Sequence, residues 1–198
     1  DFFIMKFRIS LLFASFTIAC HGYQVFEKDC MGTKFTVLID VDDKQGAERG
    51  ATAAFREANR LNMVLSDYES DSELFRFSES SGSGTKFPLS HDLFRVLNHG
   101  QQLSLQTNGS FDVTVGPLSR LWRIARLRKK MPSKEKLTSA KSRVGYKNLL
   151  LSPEKRTGSL TTSGMVLDLG GIAKGYAADM MLKTLRKKGL DRCLIDAG

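Results

Sequence analysis

The alternation of hydrophobic and polar positions predicts a chain that mixes strands with amphipathic helices. Residues 34–41 alternate and are rich in β-forming side chains, which predicts a strand. In residues 47–65 the apolar positions recur every three or four residues, which predicts a helix with one buried face. A second helix is predicted over about residues 90–107, with Leu93, Phe94 and Leu97 facing inward. It is expected to end at Asn108 and Gly109, because these residues tolerate the left-handed conformation that ends helices.

The second half of the chain continues this mixture. Residues 111–115 are predicted to be extended until Gly116 and Pro117 break the strand, and a short helix follows. Ser133 is a candidate cap for another helix, and the Ser/Gly-rich residues 78–86 are expected to form a surface loop. The remaining predicted elements are strands at 149–151, 158–168 and 193–195 and a helix over 173–185 that ends at Gly189. With no internal repeat and no long linker, the pattern predicts one α+β domain.

Positive charge is concentrated in one stretch of an otherwise ordinary composition. The 198 residues are 41% apolar and 26% charged, and the net charge is +9. Between Arg120 and Lys147 eleven basic residues face one acid, Glu135, so the rest of the chain is nearly neutral. Such a stretch can bind nucleic acid or anionic lipid, or it can be a solvated helix surface. Its only aromatic residues are Trp122 and Tyr146, so no platform for stacking single-stranded bases is visible.

The first residues have the pattern of an export signal. Two basic residues precede an apolar run of about ten residues, which is too short to span a bilayer and is typical of a secretory signal. Small residues before Cys20 resemble a bacterial lipoprotein cleavage site, so residues 1–20 are expected to form a signal peptide that starts at Met5 and leaves Cys20 lipidated. The alternative is a plain signal peptide with an incidental cysteine. Cys30 and Cys193 are candidates for a disulfide, and their pairing is left open.

Four polar segments interrupt the predicted elements and carry the candidate chemistry. They are the entry segment (residues 31–33), the acidic segment (residues 66–73), the aspartate segment (residues 109–117) and the glycine segment (residues 168–179). In the glycine segment, paired glycines let the backbone approach a ligand, and the helix start that follows favours an anion such as phosphate. Asp168 and Lys174 add opposite charges there. The alternative is a tight turn in which Asp168 caps the helix and Lys174 is solvated.

Together the four segments resemble the ApbE family of FAD:protein FMN transferases. Members of that family carry M-G-T, Y-x-x-D-S-E, F-D-x-T-V-G-P-L and D-L-G-G-I-A-K-G-Y-A-x-D motifs, and all four occur here in that order. The similarity covers about residues 31–198. It implies an ApbE-like domain over residues 30–198, with an α+β fold related to the T-fold.

The resemblance implies an activity and the molecules that take part in it. The family transfers the FMN half of FAD to a threonine, or sometimes serine, hydroxyl of a target protein, releasing AMP in a reaction that needs Mg²⁺. The implied partners are FAD, an acceptor flavoprotein subunit of a membrane redox complex, and the membrane itself. A lipid anchor is expected to hold the protein on the periplasmic face of the bacterial inner membrane. A non-catalytic, membrane-anchored flavin or nucleotide carrier is the alternative. Nucleic acid is not an expected partner, because exported proteins rarely meet it.

Matching the motifs residue by residue assigns the expected site. The expected FAD contacts are Met31, Tyr68, Ser110, Phe111, Asp112, Asp168 and Lys174. Tyr68 is expected to stack on the flavin ring, and Gly171 to offer its backbone carbonyl to the metal. No catalytic residue is assigned, and none of the three histidines lies in a motif. Family members continue past Gly198 with a segment that supplies the main metal ligands, so we expect the domain to be C-terminally truncated and inactive as a 198-residue chain.

Overall fold

The computed structural model describes residues 22–198 of the chain. The predicted signal peptide at residues 1–20, its start at Met5 and the predicted lipidation site Cys20 lie outside the described residues. Within residues 22–198, no helix is long and apolar enough to cross a membrane.

The first sheet has three antiparallel strands in the order β1-β2-β6. They are β1 (Tyr23–Cys30), β2 (Thr33–Asp40) and β6 (Cys193–Asp196). Met31 and Gly32 connect β1 to β2 with φ values of 49° and 77°, as a two-residue hairpin turn requires. β2 and β6 confirm predicted strands. β1 was not predicted, because it is an edge strand whose side chains are mostly exposed and show little apolar pattern.

Two long helices form the layer that packs against this sheet. They are α1 (Lys44–Leu65) and α6 (Ala173–Arg186), and they also pack against each other. The face that α1 buries is rich in alanine, which allows close approach of its neighbours. Both helices confirm the periodicity in the sequence. α6 ends at Arg186, and as predicted Gly189 closes the turn that follows, where its N–H donates to the carbonyl of Arg186 and its φ of 75° favours glycine.

A second small sheet and two further helices complete the body of the domain. The helices are α2 (Glu73–Glu79) and α3 (His91–Gln106), and the strands are β3 (Phe87–Pro88), β4 (Leu149–Ser152) and β5 (Thr157–Leu160). The strands are antiparallel in the order β3-β5-β4. Asn108 and Gly109 follow α3 with φ values of 50° and 81°, which confirms the predicted end of that helix. The two antiparallel sheets and their helices confirm the α+β class.

The basic stretch forms a helical hairpin. It consists of α4 (Gly116–Arg128) and α5 (Lys134–Lys141), and Ser133 caps α5 as predicted, by accepting a hydrogen bond from the backbone N–H of Lys136. We call residues 116–141 the basic hairpin. The only buried residues of its two helices are Gly116, Pro117 and Ala140.

Three boundary predictions were wrong. Residues 111–115 are not a strand but turns followed by a single bridge at Val115. Gly116 and Pro117 then begin α4, because proline fits the first turn of a helix. The predicted strand at 158–168 is a strand only to Leu160, and its later part forms a single bridge from Val166 to Val115. The predicted surface loop at 78–86 starts later than expected, because α2 extends to Glu79.

Candidate functional site

The aspartate segment and the glycine segment lie side by side. The backbone N–H of Asp168 donates to the carbonyl of Val113 at 2.8 Å, and the N–H of Gly116 donates to the carbonyl of Val166 at 3.2 Å. A Cβ atom on Gly116 would collide with the backbone of Val166, so this approach requires glycine. The two segments therefore meet although they are more than fifty residues apart in sequence.

The carboxylate of Asp112 holds the aspartate segment in shape. One oxygen accepts from the backbone N–H and the hydroxyl of Thr114, at 2.8 and 2.7 Å, and the other accepts from the backbone N–H of Tyr146 at 2.9 Å. The buried Thr114 hydroxyl oxygen in turn accepts from the N–H of Gly145 at 2.8 Å. These bonds fasten residues 145–146 to the segment. The role of Asp112 in the fold is visible, and its predicted contact with FAD stays a prediction.

Arg123 joins the acidic segment to the glycine segment. From the middle of α4 its guanidinium donates to Asp67 at 2.5 Å and to Asp168 at 3.0 Å. The same group lies over the ring of Tyr68, 4.2 Å from the ring centroid. We call Arg123, Asp67, Tyr68 and Asp168 the arginine cluster. Partial burial alone would lower the pKa of Arg123, but the hydrogen bond to Asp67 and the charges of both carboxylates raise it above its ordinary value.

Arg123 is not distinguished by any sequence motif, because it is one of eleven basic residues between Arg120 and Lys147. Once α4 is known to begin at Gly116, the helix periodicity indicates which basic residue faces the glycine segment. Arg123 lies seven residues after Gly116 and therefore on the same helix face, and Gly116 faces Val166 in the segment that leads to Asp168.

Local hydrogen bonds shape the acidic segment around Tyr68. The Ser66 hydroxyl oxygen accepts from the N–H of Tyr68 at 3.1 Å, and the Ser72 hydroxyl donates to the carbonyl of Ser66 at 2.5 Å. Ser72 also caps α2, because its hydroxyl oxygen accepts from the N–H of Phe75. Tyr68 itself is 71% exposed, so its ring is accessible to a ligand.

Lys174 links the glycine segment to the entry segment. Its ammonium group donates to the carbonyl of Gly198 at 3.4 Å, and Gly198 packs against the side chain of Thr33. Met31 lies in the same turn and is half-buried against the core. Through this chain of contacts, the entry segment is a neighbour of the helix start that bears Lys174.

The remaining predicted residues lie at the edge of the aspartate and glycine segments. Gly171 is exposed and close to the ring of Phe111, since an ideal Cβ on Gly171 would lie 3.3 Å from that ring. Ser110 is exposed beside it in sequence. The N–H of Gly170 donates to Asp168 at 2.8 Å, which fixes the turn before α6.

The predicted residues do not line one deep cavity. Along residues 22–198, a cavity of about 750 Å³ lies between α3 and α6, and Gly171 is the one predicted site residue in its lining. A shallower cavity of about 230 Å³ surrounds Met31 at the β1-β2 turn.

Residues 22–198 also contain no group of three or more His, Cys, Asp or Glu side chains that could hold a metal ion. Cys30 and Cys193 are both free thiols.

Comparison with known proteins identifies relatives of the whole described domain. The ApbE family matches residues 31–198. The chain is 29% identical over 187 residues to the FAD:protein FMN transferase of Salmonella typhimurium, covering 92% of this chain and 53% of that protein. It is 32% identical over 174 residues to the protein of the same name from Haemophilus influenzae, covering 85% of this chain and 50% of that protein.

Solved structures show the same fold. The flavin transferase ApbE from Vibrio cholerae matches with a TM-score of 0.79 and 25% identity, over 88% of this chain and 57% of that one. The apo flavinyl transferase ApbE of Pseudomonas stutzeri matches with a TM-score of 0.78 and 27% identity, over 88% and 56%. The chain spans about half the length of the curated relatives it matches. Since the family match covers all four polar segments, the chain belongs to the ApbE family.

Proposed function

We propose that the protein containing this chain transfers the FMN half of FAD to a threonine or serine hydroxyl of a target protein and releases AMP. The observation that carries the proposal is the family match over residues 31–198, which includes all four polar segments. Relatives that match most of this chain bear the name FAD:protein FMN transferase. The contacts among the acidic, aspartate and glycine segments support a single site.

The proposed reaction is a substitution at phosphorus. The hydroxyl oxygen of the acceptor attacks the phosphorus on the FMN side of the pyrophosphate, and a new P–O bond joins FMN to the protein. The bond from that phosphorus to the bridging oxygen breaks, and AMP leaves with the electron pair. The acceptor hydroxyl loses its proton. Such transfers depend mainly on positioning and on neutralising the charge of the phosphates.

The described residues can supply binding and part of that neutralisation. The exposed ring of Tyr68 is suited to stack on the isoalloxazine ring. The exposed glycine pair before α6 leaves room for the pyrophosphate to approach the backbone, and Lys174 in the first turn of α6 adds a positive charge. No described residue is assigned as the base that takes the acceptor proton.

A divalent metal, Mg²⁺, belongs to the proposal as a requirement of the whole protein. When bound, Mg²⁺ would supply positive charge to the phosphate oxygens. Gly171 could contribute only its backbone carbonyl, and residues 22–198 contain no side-chain cluster that could hold a metal. The described residues therefore do not form a metal site by themselves.

The proposal also includes export and a lipid anchor on Cys20. Its support is the pattern of residues 1–20, in which basic residues, an apolar run and small residues precede the cysteine. An anchored enzyme would meet acceptor subunits of membrane redox complexes at the periplasmic face. Loss of labelling by a radioactive or alkyne-tagged fatty acid in Cys20→Ser tests this part independently of the transfer reaction.

The transfer is tested with the full-length protein, FAD, Mg²⁺ and an acceptor flavoprotein. We expect AMP to appear by chromatography in equal amount to the flavin that stays on the acceptor in a denaturing gel. Lys174→Met should slow both the release of AMP and the labelling of the acceptor with flavin. Lys183 is an exposed lysine on the same helix, and Lys183→Met should leave both rates unchanged. FAD binding without AMP release would contradict the transfer and favour a non-catalytic carrier. Absence of FAD binding would contradict both functions.

A further inference from the structure

The guanidinium of Arg123 leaves Tyr68 with one free ring face. It lies over one face at 4.2 Å from the ring centroid, within the range of a cation–π contact. Tyr68 as a whole residue is nevertheless 71% exposed. Since one face is covered, that exposure belongs mainly to the edge and to the opposite face. A planar ligand can therefore stack on Tyr68 from one side only.

The guanidinium is held in place by two carboxylates that are themselves mostly buried. The side chains of Asp67 and Asp168 are 7% and 12% exposed. Two carboxylates this close would repel each other without a cation between them, and each would lose a charge-assisted hydrogen bond. Arg123 therefore bridges Asp67 in the acidic segment and Asp168 in the glycine segment.

An arginine can bridge two carboxylates and cover an aromatic ring at the same time, and a lysine cannot. The planar guanidinium donates through two different nitrogens to two carboxylates while its face lies against an aromatic ring. A lysine ammonium at the same place is a point charge, which cannot bridge both carboxylates and cover the ring at once.

Resting on the proposed function, we propose that Arg123 is a positioning residue of the flavin site. It covers one face of Tyr68, so the isoalloxazine ring stacks on the other face. At the same time it fixes the carboxylate of Asp168 beside the glycine turn where the pyrophosphate is expected. Arg123 acts through Tyr68 and Asp168 and makes no contact with the reacting atoms.

The test measures FAD binding by the full-length protein. FAD is titrated without acceptor, and both the quenching of flavin fluorescence and the visible circular dichroism of bound flavin are recorded. Arg123→Ala should weaken binding about tenfold, from loss of the ring contact and of the cation between two carboxylates. At saturating FAD it should also change the circular dichroism, because the ring of Tyr68 is no longer held. Arg126→Ala, an exposed arginine one turn later, should match the wild type in both signals.

Two further variants separate positioning from folding. Arg123→Lys keeps a positive charge between the two carboxylates, so it should lower the melting temperature by less than Arg123→Ala does, yet show intermediate affinity and an altered circular dichroism. Arg123→Ala combined with Tyr68→Leu should weaken binding by less than the product of the two separate effects, because both changes remove the same platform.

The outcomes distinguish this inference from the proposed function. Wild-type protein that binds no FAD would overturn both. Wild-type protein that binds FAD, together with Arg123→Ala and Arg123→Lys variants of unchanged affinity and circular dichroism, would overturn the role of Arg123 alone. Effects of Arg123→Ala and Tyr68→Leu that multiply fully would also overturn it.

Discussion

The body of the domain, which consists of the two sheets with α1, α2, α3 and α6, buries many side chains of its helices. The basic hairpin leaves most of its side chains exposed. In the body, α1 alone buries eight residues against its neighbours. In the hairpin, two helices together bury three. Several large apolar side chains stay exposed there, including Leu127 at 85% and Met131 at 71%. Stability is therefore concentrated in the body, and the hairpin depends on it for support.

Charge is also used differently in the two regions. In the body, the carboxylate of Asp92 accepts hydrogen bonds from Arg60 on α1 and from Tyr176 on α6, at 2.7 and 2.6 Å. Among the many basic residues of the hairpin, Arg123 is the one that forms ion pairs with described residues. Most of the hairpin's charge therefore does not support the fold, whereas Arg123 joins the acidic segment to the glycine segment.

The largest effect that separates the two regions is expected from a leucine truncation. Leu61→Ala removes a fully buried side chain from α1 and should lower the free energy of unfolding by about 3 kcal/mol, because it leaves a cavity in the core. The matched change Leu127→Ala on α4 should alter it by less than about 0.5 kcal/mol. Urea denaturation of the full-length protein measures both. Equal losses would mean that the hairpin is packed as firmly as the body.

A smaller effect is expected where the hairpin joins the body, at Asp112. Asp112→Ala removes the acceptor for Thr114 and Tyr146 and should cost about 2 kcal/mol of unfolding free energy, because buried donors are left without partners. Asp112→Asn keeps an acceptor for only one of the two and should cost less. Urea denaturation again supplies the measurement. If both variants are as stable as the wild type, the carboxylate is free for a ligand and does not hold residues 145–146.

Much of the body could be predicted because periodicity reports burial directly. The helices α1, α3 and α6 bury one face each, and the strand β2 buries alternate residues. The failure at residues 158–168 has the same origin. Met165, Leu167 and Leu169 alternate and are buried, so their pattern is that of a strand, but this part of the backbone finds only one bridge, at Val166. Alternation thus identified a buried extended segment and not its hydrogen-bond partner.

The candidate site could be predicted only as far as its segments. The motifs identified Tyr68, Asp112 and Asp168, but not which of these side chains the fold itself uses. Asp112 accepts from three donors, two on the neighbouring Thr114 and one on Tyr146, which is distant in sequence and reaches Asp112 only in the folded chain. Arg123 could not be separated from the other basic residues, because its two carboxylate partners come from segments more than forty residues away on either side.

The smallest effect concerns the pH dependence of the body, through Asp92. Burial alone would raise the pKa of this carboxyl, but hydrogen bonds from Tyr176 and Arg60 and the nearby charges of Arg60 and His91 lower it below its ordinary value. A carboxyl whose pKa is lower in the folded state stabilises the protein above its unfolded pKa, which lies near about 4. That contribution disappears as the pH falls through the folded-state pKa.

Comparing the wild type with Asp92→Asn between pH 6 and pH 3 tests this sign. At pH 6 the variant should be less stable by about 1 kcal/mol, because an amide cannot accept the two hydrogen bonds as a carboxylate does. The gap should begin to narrow as the pH falls below about 4, because the unfolded chain then takes up a proton that the folded carboxylate resists, and it should close as the pH falls through the folded-state pKa. Asp71→Asn, an exposed aspartate in the acidic segment, serves as the control and should show no such convergence. A gap between wild type and Asp92→Asn that stays constant down to pH 3 would mean that the ionised carboxylate does not hold α1 and α6 together, and the body would then resemble the hairpin in its use of charge.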